Sequence, residues 1–187
     1  MKYPAFALAV AFTAAAPLLA ADNTTRGVAI AAGAVHEARQ DMAAEFAGKT
    51  LRPGQYVWDA EQRDAEVTRV VLDLSRQLAF AYADDELIAV STISSGDKNH
   101  LSPVGVFPIL EKKRMHRSIR YDNAPMPFMQ RINEYGVALH AGNLPGDPAS
   151  HGCVRLPHAF AAKLFAAARV GTEVLIAEPD GPPPKRT

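Results

Sequence analysis

Cys153 is the only cysteine of the 187-residue chain, and it stands in a segment dense with reactive side chains: Ser150-His151-Gly152-Cys153-Val154-Arg155. A second imidazole, His140, lies upstream, with two glycines and two prolines between it and Ser150. Those residues forbid a continuous helix, so the chain must turn and can bring His140 and Cys153 together. A thiol attacks well only when deprotonated, and an imidazole within hydrogen-bond reach is the usual means, commonly as a thiolate–imidazolium pair. Gly152 lets a carbonyl approach the backbone, and the N–H groups of Gly152 and Cys153 could meet a developing oxyanion. Thiol, base and N–H donors together form an acyl-transfer site. Either histidine could be the base. In an extended segment His151 and Cys153 point to one side, whereas His140 ends the apolar run Val137-Ala138-Leu139 and would be aimed from a rigid strand.

The same ligand types could hold zinc, but no fourth ligand stands nearby, and no metal is expected. A lone cysteine excludes an intramolecular disulfide and any CxxC chemistry. Twenty Lys+Arg balance twenty Asp+Glu, which argues against nucleic acid or an anionic membrane surface as partner. Residues 1–21, MKYPAFALAVAFTAAAPLLAA, run from Lys2 through an apolar stretch to small residues. That is the order of a secretory signal peptide, with cleavage expected after Ala20 or Ala21 and an exported, periplasmic product. No cysteine at the junction supports a lipid anchor.

The elements that must position this chemistry are mostly strands. Apolar, β-rich runs at 67–74, 78–82, 87–94, 104–110, 137–140 and 172–177 predict a mainly β domain, with a hairpin turn at Ala83-Asp84-Asp85-Glu86. Residues 95–102 read as a loop and 111–135 as irregular. His158–Arg169 predicts a helix, entered after Pro157 and ended by Gly171. Val28, Ala31, Val35, Ala38, Met42 and Phe46 recur at helical spacing within 27–47, so an amphipathic helix precedes the domain, either packed on it or acting as a spacer. The expected division is signal peptide 1–21, helix and linker 22–65, catalytic domain 66–178 and a disordered tail 179–187 rich in proline.

Several separated segments resemble one family, the L,D-transpeptidases of the YkuD type. They are Val70-Val71-Leu72-Asp73-Leu74 with Gln77-Leu78, Ser94-Ser95-Gly96, Ser102-Pro103-Val104-Gly105-Val106-Phe107, Ala124–Met129, and the Ser150–Arg155 motif preceded by His140. The resemblance spans roughly 67–177. It implies a compact β-sandwich or barrel-like domain, Cys153 as nucleophile, His140 as general base, and His151, Gly152 and Ser150 shaping the site and its oxyanion hole. The sequence departs from the family in a short His140–Cys153 gap and in Arg155, where Asn is frequent. The implied substrate is a peptidoglycan tetrapeptide stem. Cys153 would attack the carbonyl between the third residue and D-Ala and pass the acyl group to an amine, giving a 3→3 cross-link, an exchanged D-amino acid or an attached protein. No cofactor is implied, and neither sequence nor resemblance speaks to oligomeric state.

Two other readings stand beside this one. Water as acceptor would make the protein an L,D-carboxypeptidase or another thiol-dependent wall hydrolase. With an inert Cys153 it would be a non-catalytic cell-wall binding protein. Arg155 could bind a substrate carboxylate or make a structural salt bridge. Tyr121, Met126 and Phe128 are candidate substrate-lining residues. His36, His100, His116 and His158 read as isolated surface or capping residues, and the basic run from Lys112 to Arg120 as a solvated face.

Overall fold

The computed structural model describes residues 20–46, 49–62 and 64–180. The expected leader lies almost wholly outside the described residues, as does the tail beyond Asp180. Ten strands form two sheets. The first sheet has the order β1-β4-β3-β2-β10-β5, from β1 (Tyr56–Trp58), β2 (Val67–Asp73), β3 (Leu78–Ala83), β4 (Glu86–Thr92), β5 (Gly105–Pro108) and β10 (Ala168–Ala177). The second has the order β6-β7-β8-β9, from β6 (Glu111–Ser118), β7 (Ala124–Arg131), β8 (Ala138–Ala141) and β9 (Val154–Leu156). The mainly β expectation holds, and five of the six predicted strand runs are antiparallel or mixed partners in the first sheet.

Both faces of the first sheet are buried, which explains why its strands read as nearly continuous apolar runs rather than as an alternation. Val70 and Leu72, Ala79 and Ala81, and Val174 and Ile176 face the second sheet and helix α2 (His158–Ala167) in the main core. Their neighbours Val71, Phe80, Tyr82 and Leu175 face the other way, onto helix α1 (Thr25–Glu45) through Ala31, Val35 and Ala38. Helix α1 therefore packs on the domain rather than acting as a spacer. Two polar ties fasten it. Arg39 forks onto the wholly buried Asp73 at 2.7 and 3.1 Å, and the Tyr82 hydroxyl donates to Asp41 at 2.7 Å.

The stretch 111–135, expected to be irregular, is largely a hairpin. β6 and β7 pair antiparallel from Glu111↔Arg131 to Ser118↔Ala124. Strand periodicity hides there for two reasons. β6 is an edge strand whose residues are mostly half-buried or exposed, so no apolar face marks it. β7 carries Pro125 and Pro127, which ordinarily argue against a strand. β8 pairs with β7 only at Gln130 and Arg131, so around 125–127 β7 has a free edge where the missing N–H groups go unneeded. The basic run is accordingly divided. Lys112 turns inward and donates to the carbonyls of Phe165 and Ala168 at the end of α2, Lys113 pairs with Glu111, and Arg117 donates to the Asn123 carbonyl.

Candidate active site

β8 and β9 run parallel, with Leu139 opposite Val154, His140 opposite Arg155, and Ala141 opposite Leu156. Leu139, Ala141, Val154 and Leu156 all belong to the main core. Because side chains alternate along a strand, His140 and Arg155 must project from the other face, with Cys153 just ahead of them. That face is the floor of a cavity of about 930 Å³ lined by Cys153, His140, Ser150, His151, Gly152 and Arg155, with Tyr121 and Met126 on the hairpin wall. The volume lies toward the large end of small-molecule sites.

Phe128 is not among the lining residues. Its ring packs instead on His158 and Phe165, at centroid distances of 5.2 and 5.8 Å. The cause is local. Phe128 has φ +56°, and the Arg114/Phe128 pair is missing from the β6–β7 ladder. The break in alternation lets Met126 and Met129, three apart, both pack with Ala138 against Cys153. Conversely, His100, His116 and His158, which read as isolated in sequence, line the cavity with His140 and His151. His151 stacks on Tyr121 (4.5 Å, 21°) and meets His100 edge-on (4.8 Å, 68°), so three separate segments touch through aromatic rings.

The buried His140 places Nδ1 2.8 Å from the carbonyl oxygen of Ala141. A carbonyl only accepts, so Nδ1 carries the proton and Nε2 is left as a basic lone pair. Burial pushes the His140 pKa below its ordinary value, assisted by the positive charge of Arg155 and His116 and opposed by the Ala141 carbonyl. Burial likewise pushes the Cys153 thiol up, against the Ala138 backbone N–H and Arg155, which favour the thiolate. Both shifts favour a neutral thiol beside a neutral imidazole over the preformed thiolate–imidazolium pair.

The motif residues upstream of the site form a splint for it. Ser94 exchanges backbone hydrogen bonds with Arg155 (2.9 and 3.0 Å), and the Ser95 carbonyl accepts from Ala149 and Ser150 (3.0 Å each). Gln77 holds Ser95 in turn, accepting from its N–H at 2.9 Å and donating to its hydroxyl at 2.8 Å. Ser102 spans the loop: its hydroxyl accepts from the Gly96 N–H at 2.9 Å and donates to the Gly152 carbonyl at 3.0 Å. Gly96 has no alternative residue, because a Cβ there would sit 2.0 Å from the His100 carbonyl oxygen. Ser150 completes the turn, its hydroxyl donating to the Cys153 carbonyl and accepting from the Gly152 N–H at 3.1 Å. The Gly152 amide is thus engaged within the loop. Gln77 and Ser102 have no role in the chemistry suggested by residue type alone; only their place in a family-like motif marked them.

No curated protein matches this chain. Solved structures do. An L,D-transpeptidase from Mycobacterium tuberculosis aligns with a TM-score of 0.55 at 21% identity, over 58% of this chain and 57% of that one. An enzyme described as the Ldtfm–avibactam carbamoyl enzyme aligns with a TM-score of 0.53 at 27% identity, over 59% and 49%. A mutant of the Enterococcus faecium L,D-transpeptidase aligns with a TM-score of 0.51 at 25% identity, over 60% and 50%. The alignment covers less than two thirds of each of these relatives. Residues 67–176, more than half of the chain, match the L,D-transpeptidase catalytic domain (YkuD), and this span carries the second sheet, the first sheet apart from its edge strand β1, and the cavity with Cys153 and His140: the chain belongs to the L,D-transpeptidase catalytic domain family.

Proposed function

We propose that this protein is an exported cysteine L,D-transpeptidase that acylates Cys153 with peptidoglycan tetrapeptide stems. The supporting observation is that Cys153 and His140 line the floor of one cavity, the thiol facing the Gly136 carbonyl at 3.9 Å and His140 Nδ1 tied to a carbonyl so that Nε2 is the basic nitrogen. In this reading Nε2 takes the thiol proton as Sγ adds to the carbonyl between the third residue and D-Ala. The oxyanion is met by the Cys153 amide, since the Gly152 amide is bonded to Ser150. Collapse breaks the C–N bond, His140 returns the proton to the departing D-Ala amine, and a thioester remains. An acceptor amine then gives up its proton to His140 and displaces the thiol, restoring the starting state. Export accords with residues 1–21 and with a substrate outside the cytoplasmic membrane.

The test is mass spectrometry of the mature protein with disaccharide-tetrapeptide fragments. The expected result is an acyl-enzyme and a cross-linked product lacking one D-Ala, both lost in Cys153→Ala. His140→Ala should slow acylation by roughly 10²–10⁴-fold, the usual worth of a general base, and His151→Ala much less. Tripeptide alone would make water the acceptor. Wild-type acylation rates in His140→Ala would overturn the assignment of the base.

A further inference from the structure

Arg155 differs from every other half-buried cation among the described residues. Arg39 and Arg131 pair with carboxylates, Lys112 donates to two carbonyls, and Arg69 lies over the Tyr82 ring at 4.4 Å. The guanidinium of Arg155 meets no carboxylate, carbonyl or ring among the described residues and opens on the cavity. The rest of the residue is pinned. Its N–H and carbonyl are both bonded to Ser94, and its stem lies across Gly142, where a Cβ would come within 2.9 Å of Cγ and 3.0 Å of Cδ. It lines the cavity two residues from Cys153 on the same strand face, a spacing of ~7 Å.

The surroundings agree in sign. Although the chain has as many acidic as basic residues, the cavity lining contains Arg120, Arg155 and five histidines and not one Asp or Glu. Asp97, bonded to the lining residue His100 at 3.1 Å, does not itself line the cavity. A wall without carboxylates offers nothing to compete with a carboxylate on the ligand, and a rigid guanidinium fork fits one bidentately.

We infer that Arg155 is a specificity-determining residue that reads a free carboxylate beside the scissile carbonyl, so that this enzyme takes unamidated stems in preference to amidated ones. The inference rests on the proposed donor chemistry and adds which form of the donor is accepted. Two donor groups carry the required chemistry: the side-chain carboxylate of the third residue, and the terminal carboxylate of the leaving D-Ala.

The experiment compares three disaccharide-tetrapeptide donors: both carboxylates free, a carboxamide at the third-residue side chain, and a carboxamide at the D-Ala terminus. The readout is the rate constant of acyl-enzyme formation by intact mass. Replacing a charge-assisted pair by a neutral one should slow acylation by about tenfold or more for at least one amide, and which one identifies the group bound. Arg155→Gln should bring that ratio to about one, and Arg155→Lys, which keeps charge without the fork, should retain part of it. Iodoacetamide labelling of Cys153 checks that each variant still presents the thiol. Equal rates with all three donors in wild type would overturn the inference, as would an unchanged ratio in a labelled Arg155→Gln. Acylation by none of them, with the thiol still labelled, would overturn the donor reading and this inference with it.

Discussion

Removing the hydroxyl of Ser102 should unfasten the active-site turn without touching a reacting atom. That oxygen accepts from the Gly96 N–H at 2.9 Å and donates to the Gly152 carbonyl at 3.0 Å, and all three groups are buried. Ser102→Ala therefore strands one donor and one acceptor. A buried polar group left unpaired costs about 1–3 kcal/mol, so the two together cost roughly 2–6 kcal/mol. For a chain of this size each kcal/mol lowers Tm by about 2–4 °C, which predicts a fall of roughly 4–24 °C by calorimetry. Gly152 precedes Cys153 and holds φ +102°, so a loosened peptide there also misplaces the thiol. Misplacement of about 1 Å can cost ~10²-fold, and acylation at a temperature well below the melt should drop toward that factor. Ser102→Thr keeps the hydroxyl and should recover most of both losses. A Ser102→Ala protein that melts within about 1 °C of wild type and acylates at the wild-type rate would refute the claim that this bridge holds the turn.

Two further outcomes follow from the electrostatics and from the covering helix. The Cys153 thiol is pushed up by burial and His140 is pushed down, so alkylation of the free enzyme by iodoacetamide should rise only above the ordinary thiol range near ~8.5. Donor acylation needs only the neutral imidazole, and the basic form persists as pH falls below the ordinary histidine value of ~6.5, so its acid limb should lie lower than for an exposed histidine. An alkylation inflection near or below pH ~6 would instead reveal a preformed thiolate. On the opposite face of the first sheet, Arg39→Ala leaves Asp73 buried, with the Arg76 N–H at 3.1 Å as its remaining hydrogen bond. Loss of one partner of a buried pair costs about 3–5 kcal/mol; with Arg39 partly exposed we expect the lower end, seen as a melting point lower by ~6–12 °C, and an unchanged melt would refute the tie.

What the sequence determined by itself was local. Alternation puts His151 and Cys153 on one side of an extended segment, and the glycines and prolines between His140 and Ser150 decide that the chain turns. Apolar runs at 67–74, 78–82 and 172–177 mark strands buried on both faces, and the 27–47 spacing marks a helix. These signals survive because they depend only on positions a few residues apart. The tertiary structure decided everything that depends on distant partners. The 111–131 hairpin is hidden in sequence because its first strand lies at an edge and its second tolerates prolines where no neighbour needs a donor. Phe128 left the predicted site because one residue with positive φ turns its ring toward α2, while three histidines read as isolated line the cavity. Residue type alone left Arg155 between a salt bridge and a ligand contact. The choice turns on whether any carboxylate of the fold reaches it, and among the described residues none does: Asp73, Glu111 and Glu66 pair with Arg39, Arg131 and Arg169 instead.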